Sequence, residues 1–218
     1  MSYGNGTNTP NGLVPRKFIT GAAFNGQTGK YTIVSGYNTN IFTGDPVIQL
    51  NTGGIGVAGG SGAAGIATLG VFMGCKYLLN NVPTFSPYWP ANTQPDNNLN
   101  AEAFVVDDPT VLFDIQVASN ANPAAANPTI ALTNLNDNAN YAVGNPNGGT
   151  ANPAGGNIRT GVSAFYLAFE SITTTSTYSL KIVELTPVPG NTYGVNYNNA
   201  LVLINNHVYK GGTGTAGV

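Results

Sequence analysis

Charge is scarce in this chain, and that scarcity limits what its exposed faces can be made of. Only 7% of the 218 residues are Asp, Glu, Lys or Arg, against roughly 25% in an ordinary soluble domain. Long surface helices are solvated by Glu, Lys, Arg and Gln between their apolar rows, and too few of these are present. In their place stand 29 Gly, 14 Pro and 11 Tyr, with Asn and Thr throughout. Gly and Asn make turns, while Tyr, Thr, Val and Ile fill pleated strands. The composition predicts an all-β chain, an antiparallel β-barrel or sandwich with an extended N-terminal arm and a long loop-rich insertion. At 42% hydrophobic residues it has material for a sizeable core, and its length suits one β-rich domain.

The balance of charge narrows the partners. Lys and Arg number 7 and Asp and Glu 9, a net charge of −2. Gripping nucleic acid needs clustered Lys and Arg, and a membrane-surface helix needs a basic face. No stretch approaches the roughly 18 apolar residues of a spanning helix. Neither nucleic acid nor a membrane is therefore expected as a partner. The single cysteine, Cys75, excludes an intrachain disulfide and a Cys-based zinc site. The opening residues MSYGNGTNTPNGLVPRKF lack a charged head before an apolar run, so no secretory leader is expected. A reducing cytosol is the expected place of synthesis.

Along the chain, residues 1–14 read as an arm marked by Tyr3, Leu13 and Val14. Such a segment cannot bury enough surface to fold alone; it either frays or orders against a neighbouring subunit. Strand patterns occupy residues 31–35, the two pieces of Ile41 to Leu50 around Gly44-Asp45-Pro46, and Leu69 to Leu79. Residues 52–66 read as a flexible Gly/Ala loop. Three prolines in 83–90 forbid a central strand there. Val111, Phe113, Ile115 and Val117 alternate with Leu112, Asp114 and Gln116, the pattern of a half-buried strand. Residues 119–159, with four Asn-Pro pairs, read as an inserted surface excursion, with short strands at 129–132 and, more weakly, 141–143. Strands resume at 162–169 and 178–185, which the intervening SITTTST joins as a hairpin, and at 200–209. The core is thus expected at 15–118 and 160–210, with a loose tail at 211–218.

Few residues offer chemistry. Gly54 to Gly59 matches G-x-G-x-x-G, but neither the helix that would hold a pyrophosphate nor the acidic residue about 20 positions on follows it. The only histidine, His207, has no G-x-S-x-G serine elbow elsewhere to serve. Asp107-Asp108 precedes Pro109 and reads as a turn. No catalytic, cofactor-binding or metal-binding residue is assigned, and the chain is not expected to be an enzyme. Trp89, between Tyr88 and Pro90, is the candidate surface anchor, since aromatics beside proline stack on sugars or fill a partner's pocket. The other reading of the pair is a cap on one end of the barrel.

Several runs together resemble the head decoration, or cement, proteins of tailed bacteriophages, particularly environmental and cyanobacterial ones. They are IFTGDPVIQL at 41–50, LGVFMGCKY at 69–77, Tyr88-Trp89-Pro90-Ala91, FVVDDPTVLFDIQV at 104–117, TGVSAFYL at 160–167 and YGVNYNNALVLINNHVY at 193–209. The order strand, Gly-Asp-Pro-Val, Gly-rich loop, Leu-Gly-Val-Phe is similar to a short β-barrel seen in such proteins. The resemblance covers about residues 16–118 and 160–209. It implies a structural virion protein, made in the host cytoplasm, that binds the capsid exterior and stabilises its lattice. Its implied partners are the major capsid protein and further copies of itself, a homotrimer first and a dimer next. It implies no catalytic residues. The contact residues expected on this reading are Tyr3, Leu13, Val14, Tyr88 and Trp89. The alternative on the same framework is a carbohydrate-binding tail or fibre-associated β-domain.

Overall fold

The structure, a computed structural model, describes residues 8–59, 67–119, 128–144 and 155–211. It is mostly β, as the composition predicts, and its helical pieces among the described residues are three-residue 3₁₀ turns. Two sheets carry the fold. The first contains β2 (Gly29–Ile33), β4 (Pro46–Gln49), β5 (Ile55–Val57), β6 (Gly70–Leu79), β7 (Val82–Ser86) and β9 (Ala101–Val106). Its order is β2-β9-β6-β4-β5, with β7 on the far end of β6 and every pairing antiparallel. The sheet almost closes into a barrel: a methyl added at Gly54, just before β5, would lie 3.1 Å from the carbonyl oxygen of Thr32 in β2. A short ribbon of β3 (Ile41–Phe42) and β8 (Tyr88–Trp89) plugs one end.

The second sheet contains β1 (Val14–Phe18), β10 (Val111–Ala118), β11 (Asn138–Ala139), β12 (Tyr141–Ala142), β15 (Tyr166–Ala168), β16 (Leu180–Leu185) and β17 (Asn199–Ile204). Its order is β11-β16-β17-β10-β15-β12, with β1 also on β10. The β10–β15 pair is parallel and the rest antiparallel. A small hairpin of β13 (Gly156–Asn157) and β14 (Val162–Ser163) bridges to Thr43, just after β3.

Alternation across the strands splits the core in two. Ile33, Val47, Phe72, Ala103 and Val105 fill the barrel with Trp89. Their neighbours Val71 and Val106 point the other way and pack on Phe113, Ile115, Leu167 and Val202 of the second sheet. The barrel wall is thus covered on both sides where the sheets meet, which explains the unbroken apolar run at the start of β6.

Several expectations need correction. The β10 strand is not half-buried: Leu112, Asp114 and Gln116 are as enclosed as their alternates, because the arm and the loop after β16 cover that face. Gln116 accepts a hydrogen bond from the Thr9 amide and donates one to the Tyr197 carbonyl. The segments β15 and β16 form no hairpin, since β17 and β10 lie between them. Residues 129–132 are not a strand, whereas Tyr141–Ala142 is. Of the expected excursion at 119–159, residues 128–144 are partly core: Ile130, Ala139 and Tyr141 are buried in the main cluster. The last strand ends at Ile204, and His207 begins a 3₁₀ turn.

The arm reading divides. Tyr3 lies outside the described residues. From Thr9 onward the chain lies along its own body, with the Gly12 amide donating to the Phe165 carbonyl at 3.1 Å and Leu13 to Gly44 at 2.9 Å. Leu13 is buried in the main core, so it is not free for a neighbour. Val14 is half-buried in β1, opposite Asp114.

Candidate functional site

Tyr88 and Trp89 are, with Tyr3, Leu13 and Val14, the contact residues expected from the sequence, and the structure encloses the tryptophan. Trp89 is 0% exposed. Its indole N–H donates to the Tyr37 carbonyl at 3.2 Å, and its ring meets Tyr77 edge-on at 5.5 Å. A buried indole whose one donor is satisfied belongs to the core, so Trp89 is no surface anchor. Tyr88 is half-buried and stacked on Phe42 at 5.5 Å. The pair caps the barrel, the second of the two readings its sequence allowed.

What projects instead is the β6–β7 hairpin. Its two-residue turn is Asn80-Asn81, with φ of 54° and 61°. Positive φ at both central residues is the turn that matches strand twist, and Asn tolerates it best after Gly. Asp96 pins the turn from outside, accepting from the Asn80 amide at 2.9 Å and the Asn81 amide at 2.5 Å. On this hairpin Phe85 is 72% exposed and Val82 59%; the register pairs Val82 with Leu79 on one face and sets Phe85 opposite Lys76 on the other. Scattered exposed apolar residues need no explanation, but several on one projecting hairpin make it a candidate contact element. Pro83, at the outer strand of the hairpin, removes a backbone donor and blunts strand addition there. The surface therefore offers side chains rather than a free sheet edge.

Beside the hairpin runs a shallow groove of about 330 Å³ between Lys76, Leu78, Pro83, Phe85, Asn100 and Glu102. Across its floor the Glu102 carboxylate lies 3.0 Å from Lys76 and 3.2 Å from Lys30. The Lys76 hydrogen bond is the main reason the Glu102 carboxyl is held below its usual range. One carboxylate faces two ammonium groups, so this cluster keeps a single net positive charge.

The other polar clusters are structural. His207 is buried; its Nδ1 accepts from the Tyr209 amide at 3.0 Å, and burial, with the Lys210 charge, lowers the ring to about 4. Asp107 accepts from the Tyr31 hydroxyl at 2.6 Å, which in turn touches the Tyr209 hydroxyl. Residues 55–57 of the glycine motif form strand β5, so the motif does not open a phosphate-binding turn. Burial pushes the Cys75 thiol up to about 12, the behaviour of an inert core cysteine. Among the described residues no group of three or more His, Cys, Asp or Glu side chains is placed to hold a metal ion. No described helix is long and apolar enough to cross a membrane.

The sequence did hold a signal for the hairpin, Leu-Leu-Asn-Asn-Val-Pro at 78–83, a turn dipeptide between apolar residues. It gave no sign of the Asp96 clamp, which reaches back 16 residues to Asn80. No family model matches the chain, and no curated protein or solved structure matches it.

Proposed function

We propose that this chain is a structural virion protein that binds the outside of a tailed-phage head and stabilises the capsid lattice. The observation that carries the reading is the pinned β6–β7 hairpin, which exposes Leu79 and Val82 on one face and Phe85 on the other, on a body with little charge. A cement protein must resist the pressure of packed DNA by repeating a modest interface many times. One standard interface buries roughly 1,200–2,000 Å², and symmetric repetition multiplies its effect. A stiff hairpin with apolar side chains meets that need without ordering a flexible loop on contact, which would cost about 1–2 kcal/mol per residue. The implied partners are the major capsid protein and other copies of the chain, as a homotrimer by preference. The carbohydrate-binding alternative drew on Trp89 and the tyrosines; of these, the Trp89 ring lies inside the barrel and offers no platform for a sugar.

The test is add-back to particles that lack the protein. The wild-type chain should bind and raise the temperature at which the particles release DNA. Phe85→Asp, at an exposed position that leaves the fold intact, should bind at least about tenfold more weakly, the loss of one well-packed contact. Binding by Phe85→Asp equal to wild type would remove the hairpin from the interface. Binding by neither would remove the capsid reading.

A further inference from the structure

The Gly44-Asp45-Pro46 turn sits where the two sheets and the N-terminal segment meet. Its carboxyl is wholly buried. Oδ2 accepts from the Phe42 amide at 2.8 Å, while Oδ1 has no hydrogen-bond partner among the described residues. The turn is fixed by its backbone: the Asp45 amide donates to Phe42 and the Phe72 amide to Asp45, both at 2.9 Å. On the other side lie β14 and the N-terminal segment. The Ser163 amide donates to Thr43 at 3.0 Å, and Leu13 donates to Gly44. Gly12, at φ 74°, passes so close that a methyl there would sit 2.5 Å from the Gly44 oxygen and 2.6 Å from Ser163 Cβ. Turn, hairpin and segment are therefore one stack, with residues 12 and 13 packed against Gly44, the residue before Asp45.

We infer that Asp45 is a pH-responsive latch: while it keeps its proton the segment at residues 9–14 stays seated across the two sheets, and losing the proton loosens it. The reason is the missing counter-charge. Among the described residues, β3, β4 and β14 carry no charged side chain. On β6, Lys76 is held by Glu102; on β1, Arg16 and Lys17 are held by Asp114 and Glu184. Arg159, in the turn between β13 and β14, faces solvent. A buried carboxylate without a partner is costly, and burial raises this one to about 7 against the smaller opposing pull of the Phe42 amide and the Ser163 hydroxyl. A cavity of about 390 Å³ lies beside it, and its lining, which includes Asn38, Asn40, Phe42, Val57 and Phe165, brings no other charged side chain. Opening the seam lets water reach the ionised group, so ionisation favours the open form.

The sign follows from linkage. A carboxyl raised in the closed form favours closing at low pH; that advantage fades as pH climbs from about 4 to the closed-form value near 7 and is level above it. The latch is a property of the isolated chain and stands whether or not the chain binds a shell. Amide hydrogen exchange at Gly12 and Leu13 reads it. After correction for intrinsic rates, opening should be about seventyfold greater at pH 7.5 than at pH 5.0, for a group that regains its ordinary pKa when exposed. In Asp45→Asn, which keeps the acceptor for the Phe42 amide, it should not change with pH. Equal protection at both pH values in the wild type, or the same change persisting in Asp45→Asn, would overturn the latch. Carboxyl carbon titration by NMR is independent of the variant: a midpoint near 7 is expected, and one near 4, the ordinary value, would overturn it.

Discussion

Asp114 is a carboxylate under a sheet, and each of its oxygens is met by donors. Arg16 reaches Oδ2 at 2.7 Å, while the Thr186 hydroxyl and the Asn199 amide reach Oδ1 at 2.7 and 3.0 Å. Asn191 then ties Thr186 and Asn199 together through their backbones. Removing one member leaves the others unpaired. Asp114→Ala should cost about 2–4 kcal/mol in urea unfolding, reduced from the fully buried case because Arg16 is partly solvated; a loss below about 0.5 kcal/mol, typical of a surface change, would show the network contributes little. The aromatic pair makes a second contrast. Trp89→Ala should cost about 3–5 kcal/mol, as core aromatics do, and Phe85→Ala under about 0.5 kcal/mol. Equal costs in the same unfolding assay would contradict the burial assigned to them. The sequence allowed Trp89 as a surface anchor or as a barrel cap and could not choose, because Tyr37 and Tyr77 are brought to it from elsewhere in the chain.

Among the elements, the strands with strong alternation or long apolar runs were readable: β6, β10 and β16 lie close to where the pattern put them, and β17 starts there but stops at Ile204. Partners were not. Nothing local says that β17 separates β16 from β10, or that β15 runs parallel to β10. Coverage was misread for the same reason: Asp114 and Gln116 look outward-facing until the arm and the 186–198 loop fold over them. Two elements also set opposing pH dependences. His207, in the turn after β17, is lowered to about 4 by burial, so it favours folding as pH rises from about 4 to its ordinary value near 6.5. Asp45, in the β3–β4 turn, disfavours folding over nearly the same range. Wild-type stability should therefore be nearly flat between about pH 4.5 and 6.5, while Asp45→Asn should gain stability with pH by on the order of 1 kcal/mol per unit. Parallel curves in thermal or urea unfolding would rule out this opposition.

At the scale of the whole molecule, composition was the best guide. Too few charges to solvate helices left β-structure, and the fold is β. The split into two sheets sharing one wall was hidden, since it depends on Val71 and Val106 facing away from Phe72 and Val105. The same low charge bears on binding. An interface built on apolar side chains gains little from long-range attraction, so occupancy on shells should change little with salt. A fall of about 10³-fold between low and high salt, the signature of many released counterions, would point to a charged interface instead.

The measurement that bears most directly on the shell-binding account is copy number per particle, by quantitative mass spectrometry against the major capsid protein. A lattice component should be present on the order of hundreds of copies, because a closed symmetric shell repeats each site many times. A handful of copies would place the chain at a tail or fibre, and none would contradict the account outright.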